Sequence, residues 1–258
     1  MDNFPLQGHT IFITGATSGF GEACARLLAS KGAQIIICGR RGEKLKKLQK
    51  ELGEDSTYIV ELDVRHKDKL ITSINNLPEK FKNITALINN AGLAIGQNPA
   101  QHSALEDWDQ MVDTNIKGVL YCTHAILPLM IANNNGYIIN IGSVAGTYPY
   151  PGGNVYGASK AFIRQFSFNL RSDLMGTRIR VTNLEPGIAE TEFSLVRYSG
   201  NEEKAKNVYA GTKPLVAEDI AETILWCLSR PSHVNINSIE VMPLCQAFGP
   251  FYIKREEQ

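Results

Sequence analysis

The sequence predicts an α/β fold: a doubly wound, mostly parallel seven-stranded sheet with helices on both faces. Short β-branched runs alternate with amphipathic helical patterns along the whole chain, and most runs are apolar on both faces. Strands covered on both sides of a parallel sheet have that composition. The runs are TIFIT (10–14), QIIIC (34–38), TYIVEL (57–62), ALIN (86–89), YIINI (137–141), RIRVTNL (178–184) and SIEVM (238–242). Between them lie GEACARLLASKG, EKLKKLQKEL, KDKLITSINN, two long stretches at 105–132 and 155–175, and AEDIAETILWCLSR. This order suits right-handed crossovers. No Pro/Gly/Ser-rich linker, repeat or low-complexity segment divides the chain, so residues 1–258 read as a single domain. Residues 188–215 interrupt the alternation with a polar stretch too long for an ordinary crossover loop, and they read as a candidate substrate lid.

Composition removes several functional classes. Lys plus Arg balance Asp plus Glu at 26 each, so no global field favours nucleic acid or an anionic membrane. The basic run KLKKLQK (44–50) is the solvated face of a helix whose apolar stripe includes Leu45, Leu48 and Leu52. Cys24, Cys38, Cys122, Cys227 and Cys245 are scattered without a C-x-x-C pair, as buried thiols of a reducing, cytoplasmic compartment would be. His9, His66, His102, His124 and His233 are widely separated and receive no metal role. The N-terminus lacks a charged segment followed by an apolar one, and no apolar run approaches the ~18 residues needed to span a bilayer.

The first strand runs into TGATSGFG (14–21), which opens a helix. Gly15, Gly19 and Gly21 permit a tight turn, a close backbone approach to a diphosphate and tight helix–strand packing, while the helix N-terminus offers unpaired N–H groups. Thr17, Ser18 and Phe20 complete this candidate phosphate loop, in a G-x-x-x-G-x-G spacing. The second strand then ends in CGRR (38–41). An NAD site would place a carboxylate there for the ribose 2′-hydroxyl; Arg40 and Arg41 instead suit a 2′-phosphate, so NADP is the expected cofactor.

Tyr156 precedes Lys160 by four residues in NVYGASK, one turn apart on a helix face. A second Tyr-x-x-x-Lys pair, Tyr209 with Lys213, shares the spacing. Only the first has a serine, Ser143, thirteen residues earlier at the carboxyl end of a strand, where open α/β sheets bind ligands; the second has Val196 there, and Pro214 pulls Lys213 off a helix face. A phenol of pKa near 10 is a poor proton carrier at neutral pH. A neighbouring ammonium and a positively charged nicotinamide would lower that pKa. Tyr156 would then exchange a proton with a substrate oxygen that Ser143 holds, and Lys160 would also reach the nicotinamide ribose.

TGATSGFG, NNAG (89–92), the Asn of DTNIKG (113–118), Gly142-Ser143, YGASK and EPG (185–187) occur in an order that resembles the short-chain dehydrogenase/reductase family over nearly the whole chain. The resemblance implies a Rossmann-like fold and adds roles. Asn115 would be a fourth catalytic member, holding a water for a proton relay from Lys160. Asp63 and Val64 would contact adenine. Asn90, Ala91 and Gly92, with Pro186, Gly187, Ile188 and Thr191, would be further cofactor contacts.

Phe20, the stretch GGNVYGASKAFIRQFSFNLR (152–171), EFSLVR (192–197) and HVNINSIEVMP (233–243) are further similar to the NADP-dependent 3-hydroxy acid dehydrogenases. That implies small substrates of the serine, L-allo-threonine or 3-hydroxypropionate type, interconverted with 3-oxo acids or semialdehydes. Arg197 is the candidate cation for the substrate carboxylate. A 3-oxoacyl-carrier-protein or general carbonyl reductase is the alternative enzyme, although EVMPL replaces the V-D-G-G-like turn that follows the last strand of the former. A non-catalytic NADP sensor is the alternative outside enzymology. The long helical stretches, with Phe162, Phe166 and Phe168 in excess of one sheet face, predict a homo-oligomer, dimer or tetramer, paired through 105–132 and 155–175.

Overall fold

The computed structural model describes residues 4–248; the outermost residues of the 1–258 range lie outside them. Seven strands, β1 (Thr10–Thr14), β2 (Gln34–Gly39), β3 (Thr57–Glu61), β4 (Ile84–Asn89), β5 (Gly136–Ile141), β6 (Ile179–Pro186) and β7 (Ser238–Val241), form one sheet in the order β3-β2-β1-β4-β5-β6-β7. Every pairing is parallel. The helices are α1 (Gly19–Ser30), α2 (Gly42–Leu52), α3 (Lys67–Asn75), α4 (Leu105–Val112), α5 (Gly118–Ala132), α6 (Asn154–Asp173), α7 (Glu192–Arg197), α8 (Glu202–Asn207) and α9 (Ala217–Leu228).

The period of two along each strand splits the core in two. Ile11 and Ile13, Ile35 and Ile37, Ala86 and Ile88, and Tyr137 and Ile139 face one way. There they meet Leu28 of α1, Leu45 of α2 and Ile220 and Ile224 of α9. Phe12, Ile36, Leu87 and Ile138 face the other way, against Leu70 of α3, Cys122 and Ile126 of α5 and Leu170 of α6. The chain reverses its direction of winding at β1, whose neighbours are β2 and β4, so a crevice opens beyond the carboxyl ends of β1 and β4.

Three details depart from the sequence reading. Residues Leu105–Ala132 form one continuous 28-residue helix that is long and apolar enough to cross a membrane by length and composition, contrary to expectation; Val119, Cys122, Ile126 and Met130 are buried along it, as in a core helix. Its middle, Asp113–Lys117, is a π-turn. Cys245 is exposed, whereas the other four thiols are buried.

A buried polar chain ties the sheet to the helices beneath the crevice. Asn89 Nδ2 donates to Asn140 Oδ1 at 2.8 Å and to Thr123 Oγ1 at 3.1 Å, and Asn140 Nδ2 donates to Ser167 Oγ at 2.8 Å. β4, β5, α5 and α6 are thereby locked in register with hydrogen bonds that have no water to compete with them. Asn140→Ala takes one buried hydrogen bond from each of Asn89 and Ser167, which keep Thr123 and the Ile163 carbonyl, and we expect urea denaturation to report a loss of about 2–3 kcal/mol.

Candidate active site

The phosphate loop is built as its glycines require. Gly15 and Gly19 have φ of +67° and +51°, open to glycine without strain. A Cβ on Gly21 would strike the Gly15 carbonyl oxygen, so the start of α1 lies directly on the loop. Ser18 caps α1 in extended backbone but makes no side-chain cap bond. Its hydroxyl accepts from Arg41 Nη2 at 2.7 Å instead. The first N–H groups of α1 therefore face the crevice without a side-chain acceptor, the donor set a diphosphate needs.

Arg41 is pinned to this loop: Nε donates to Thr17 Oγ1 at 2.9 Å and Nη2 to the Thr17 carbonyl at 3.0 Å. Arg40 is freer, with Asp63 at 3.7 Å. Burial pushes the Asp63 carboxyl up, but bonds from Arg65 outweigh it and hold the group below its ordinary value. Two guanidinium groups beside the loop, and no carboxylate at the end of β2, fit the 2′-phosphate of NADP.

At the other end, β5 stops at Ile141 and the chain turns through Ser143 and Val144–Gly146 before α6 begins. The turn packs on α6 backbone to backbone. A Cβ on Gly146 would come within 2.7 Å of the Lys160 carbonyl carbon, and one on Gly157 within 2.9 Å of the Ala145 carbonyl oxygen. This approach sets Ser143 beside Tyr156, whose ring stands 5.9 Å from Lys160 Nζ. Lys160 is buried and donates to the Ile141 carbonyl at 2.8 Å.

The electrostatics differ from expectation. Burial raises the Tyr156 pKa above its ordinary value; the Ser143 hydroxyl and the Arg197 guanidinium pull it down, but by less. The same burial lowers Lys160 to about 8. Lys160 Nζ spends its bond on a strand carbonyl and stands 5.9 Å from the ring centre, and it does not offset that desolvation.

Residues 188–215 contain α7 and α8 and close on themselves at the base, where Ala189 bridges Leu215. The Arg197 carbonyl accepts from Gly96 N at 2.9 Å and Tyr198 Oη donates to Gln97 Oε1 at 2.8 Å, so the segment docks across the crevice. It lays Phe193 5.6 Å from the Tyr156 ring and the Arg197 guanidinium 5.1 Å from it. Arg197 Nη2 donates to Tyr150 Oη at 3.0 Å, while its buried Nε has no partner.

One continuous cleft contains every site residue read from sequence except Gly21 and Asn115. Gly21 serves packing alone. Asn115 is buried in the π-turn, and its amide is consumed: it exchanges two 2.8 Å bonds with the Leu93 backbone and donates to Ser159 Oγ at 3.0 Å. Both amide hydrogens are thus taken, while Oδ1 accepts one bond and keeps a second lone pair. Sequence reasoning missed Tyr148, Tyr150, Phe193, Gln246 and Glu192, which also line the cleft; of these only the aromatic YPYPGG turn carried a signal. Tyr209 is there too, but its hydroxyl is engaged with Ser194 and the Ala189 carbonyl inside the 188–215 segment.

The short chain dehydrogenase family model matches residues 9–201. The chain belongs to that family. It is 51% identical to a serine 3-dehydrogenase of Agrobacterium fabrum (strain C58 / ATCC 33970), over 96% of this chain and 98% of the relative. It is 49% identical to the NADP-dependent 3-hydroxy acid dehydrogenase YdfG of Escherichia coli (strain K12), over 95% of this chain and 99% of that one. Among solved structures, the closed form of a serine dehydrogenase complexed with NADP+ superposes with a TM-score of 0.94 at 49% identity, covering 96% of this chain and all of that one.

A buried cation lowered to about 8 makes a signed prediction. Between about 8 and its unfolded value the unfolded state binds more protons, so Lys160 destabilises the native state most below pH 8 and progressively less above it. Relative to wild type, Lys160→Met should therefore be more favourable at pH 7 than at pH 10.5. Denaturation at the two pH values should differ by ~1–3 kcal/mol.

Proposed function

We propose that this chain is an NADP-dependent oxidoreductase interconverting a small 3-hydroxy acid, of the serine, L-allo-threonine or 3-hydroxypropionate type, with its 3-oxo acid or semialdehyde. The observation that carries the substrate class is Arg197. Its guanidinium lies 5.1 Å from the Tyr156 ring with one buried donor, Nε, unpaired. An orphaned charged donor so close to the reacting phenol calls for an anion a bond or two from the reacting carbon, which a 3-hydroxy acid carries and a carrier-protein thioester does not.

NADP, when bound, supplies the hydride acceptor, and NADPH the donor. Thr17, Ser18 and Gly19 with the start of α1 would hold its diphosphate, Arg40 and Arg41 its 2′-phosphate, and Asp63 and Val64 its adenine. Asn90, Ala91, Gly92, Pro186, Gly187, Ile188 and Thr191 would line the nicotinamide half. Tyr156 Oη takes the proton from the substrate hydroxyl in oxidation and returns it to the carbonyl oxygen in reduction. Ser143 holds that same oxygen by a hydrogen bond. Lys160 favours the phenolate against the cost of burial and reaches the ribose hydroxyls. Asn115 acts one step back, fixing the strand end at Leu93 against α6.

Residues 188–215 serve as the substrate lid of a single catalytic domain, and the buried free thiols suit cytoplasmic residence. Self-association uses the outer faces of α4, α5 and α6, where Leu105, Ile131 and Phe162 are exposed and Phe162 stacks on Phe166.

Tyr156→Phe should lower kcat by ~10²–10⁴ while leaving NADPH binding in place. Arg197→Met should raise KM for 3-hydroxypropionate on the order of tenfold or more, with little change for an uncharged ketone; an unchanged KM for the acid would refute the carboxylate role. In sedimentation, Phe162→Asp should shift the protein toward monomer, and a wild-type monomer at micromolar concentration would reject the oligomer.

A further inference from the structure

Glu192 opens the lid helix α7, and its carboxylate reaches back to the nucleotide end of the cleft. It accepts from Arg41 Nη1 and from Lys44 Nζ, both at 2.8 Å. Burial pushes this carboxyl up, but the two bonds bring it down to about 2, so it is fully ionised at neutral pH. The other donors of Arg41 already have partners: Nε and Nη2 grip Thr17 and Ser18 of the phosphate loop. The Nη1 edge is the one left for an outside anion, and a lid carboxylate sits on it.

Nothing in a lid's covering role requires this contact. The lid already has its own base at Ala189 and Leu215 and its own docking points at Gly96 and Gln97. The Glu192, Arg41 and Lys44 side chains are 42%, 42% and 48% exposed, so water can stand in for either partner when the bond is exchanged. A phosphate monoester carries more negative charge than a carboxylate and offers three acceptor oxygens, so it outcompetes the carboxylate for the same donors.

We propose that Glu192 is a specificity-setting residue, a lid-borne carboxylate that competes with the 2′-phosphate of NADP for Arg41 and Lys44. Seating the phosphate then releases the first turn of the lid from the nucleotide end, whereas a dinucleotide without the phosphate leaves Glu192 in place. This rests on the assignment of Arg41 to the 2′-phosphate.

The test is a fluorescence titration of NADPH and NADH at low salt on wild type, Glu192→Gln, Arg41→Ala and the double variant. Removing the competing charge should tighten NADPH by about three- to tenfold and leave NADH within about twofold, the scale of one or two exposed ion pairs. In the Arg41→Ala background the effect of Glu192→Gln should shrink to the part that Lys44 carries. The proposal is overturned if Glu192→Gln leaves NADPH binding unchanged, weakens it, or shifts NADPH and NADH equally. Should Arg41→Ala weaken NADPH selectively while Glu192→Gln does nothing, the cradle stands and the competition falls. Should Arg41→Ala leave the preference for NADPH intact, the 2′-phosphate assignment falls, and the competition with it.

Discussion

The ammonium group of Lys160 grows from a helix but is held by a strand, through a 2.8 Å bond to the Ile141 carbonyl. A buried cation is expensive, and this bond is what offsets part of the cost. It can form only if α6 lies hard against the carboxyl end of β5. Gly146 and Gly157 give the room for that approach, and Asn140 with Ser167 repeats the same strand-to-helix tie deeper down. Below these polar contacts Ile163 and Leu170 are buried on the inner face of α6. Ser143 and Tyr156 need no separate positioning. Both sit on the two elements that the lysine draws together, and the stability lost at Lys160 is the cost of that arrangement.

What the sequence disclosed follows the range of the interactions concerned. Strands covered on both faces announce themselves by composition, because most positions are apolar whichever way they point. The phosphate loop was legible for a similar reason: its glycines, its strand and its helix are contiguous. Tertiary facts were not. The partners of Glu192 lie 151 and 148 residues away, and no local pattern records that distance. For Tyr156, spacing gives the presence of a lysine but not the depth of burial, which is the largest single effect on the phenol's pKa in the protein alone. For Asn115, the motif located the residue but could not show that Leu93 and Ser159 absorb its amide.

The two halves of the cleft are built on different physics. At the nucleotide end, charge dominates: Arg41 and Lys44 form exposed, exchangeable pairs with Glu192 that salt weakens, and exposed Arg40 faces the more buried Asp63. Around Tyr156 the walls are aromatic, with half-buried Tyr150 and Phe193 gathered about Arg197. An ion pair beside such apolar rings is stronger than one among open side chains, so one arginine there can define a ligand while the other end gathers several cations.

Residues 188–215 are tied off at their base. Glu190 N bonds the Leu215 carbonyl at 2.8 Å and Leu215 N bonds the Ile188 carbonyl at 3.1 Å, so the segment leaves and rejoins the scaffold at nearly one point. Changing the length of a loop closed in this way costs little, since closure entropy grows only with the logarithm of length. The proton-transfer machinery sits outside the loop. The scaffold can thus exchange one pocket roof for another and acquire new molecular tastes without rebuilding its chemistry.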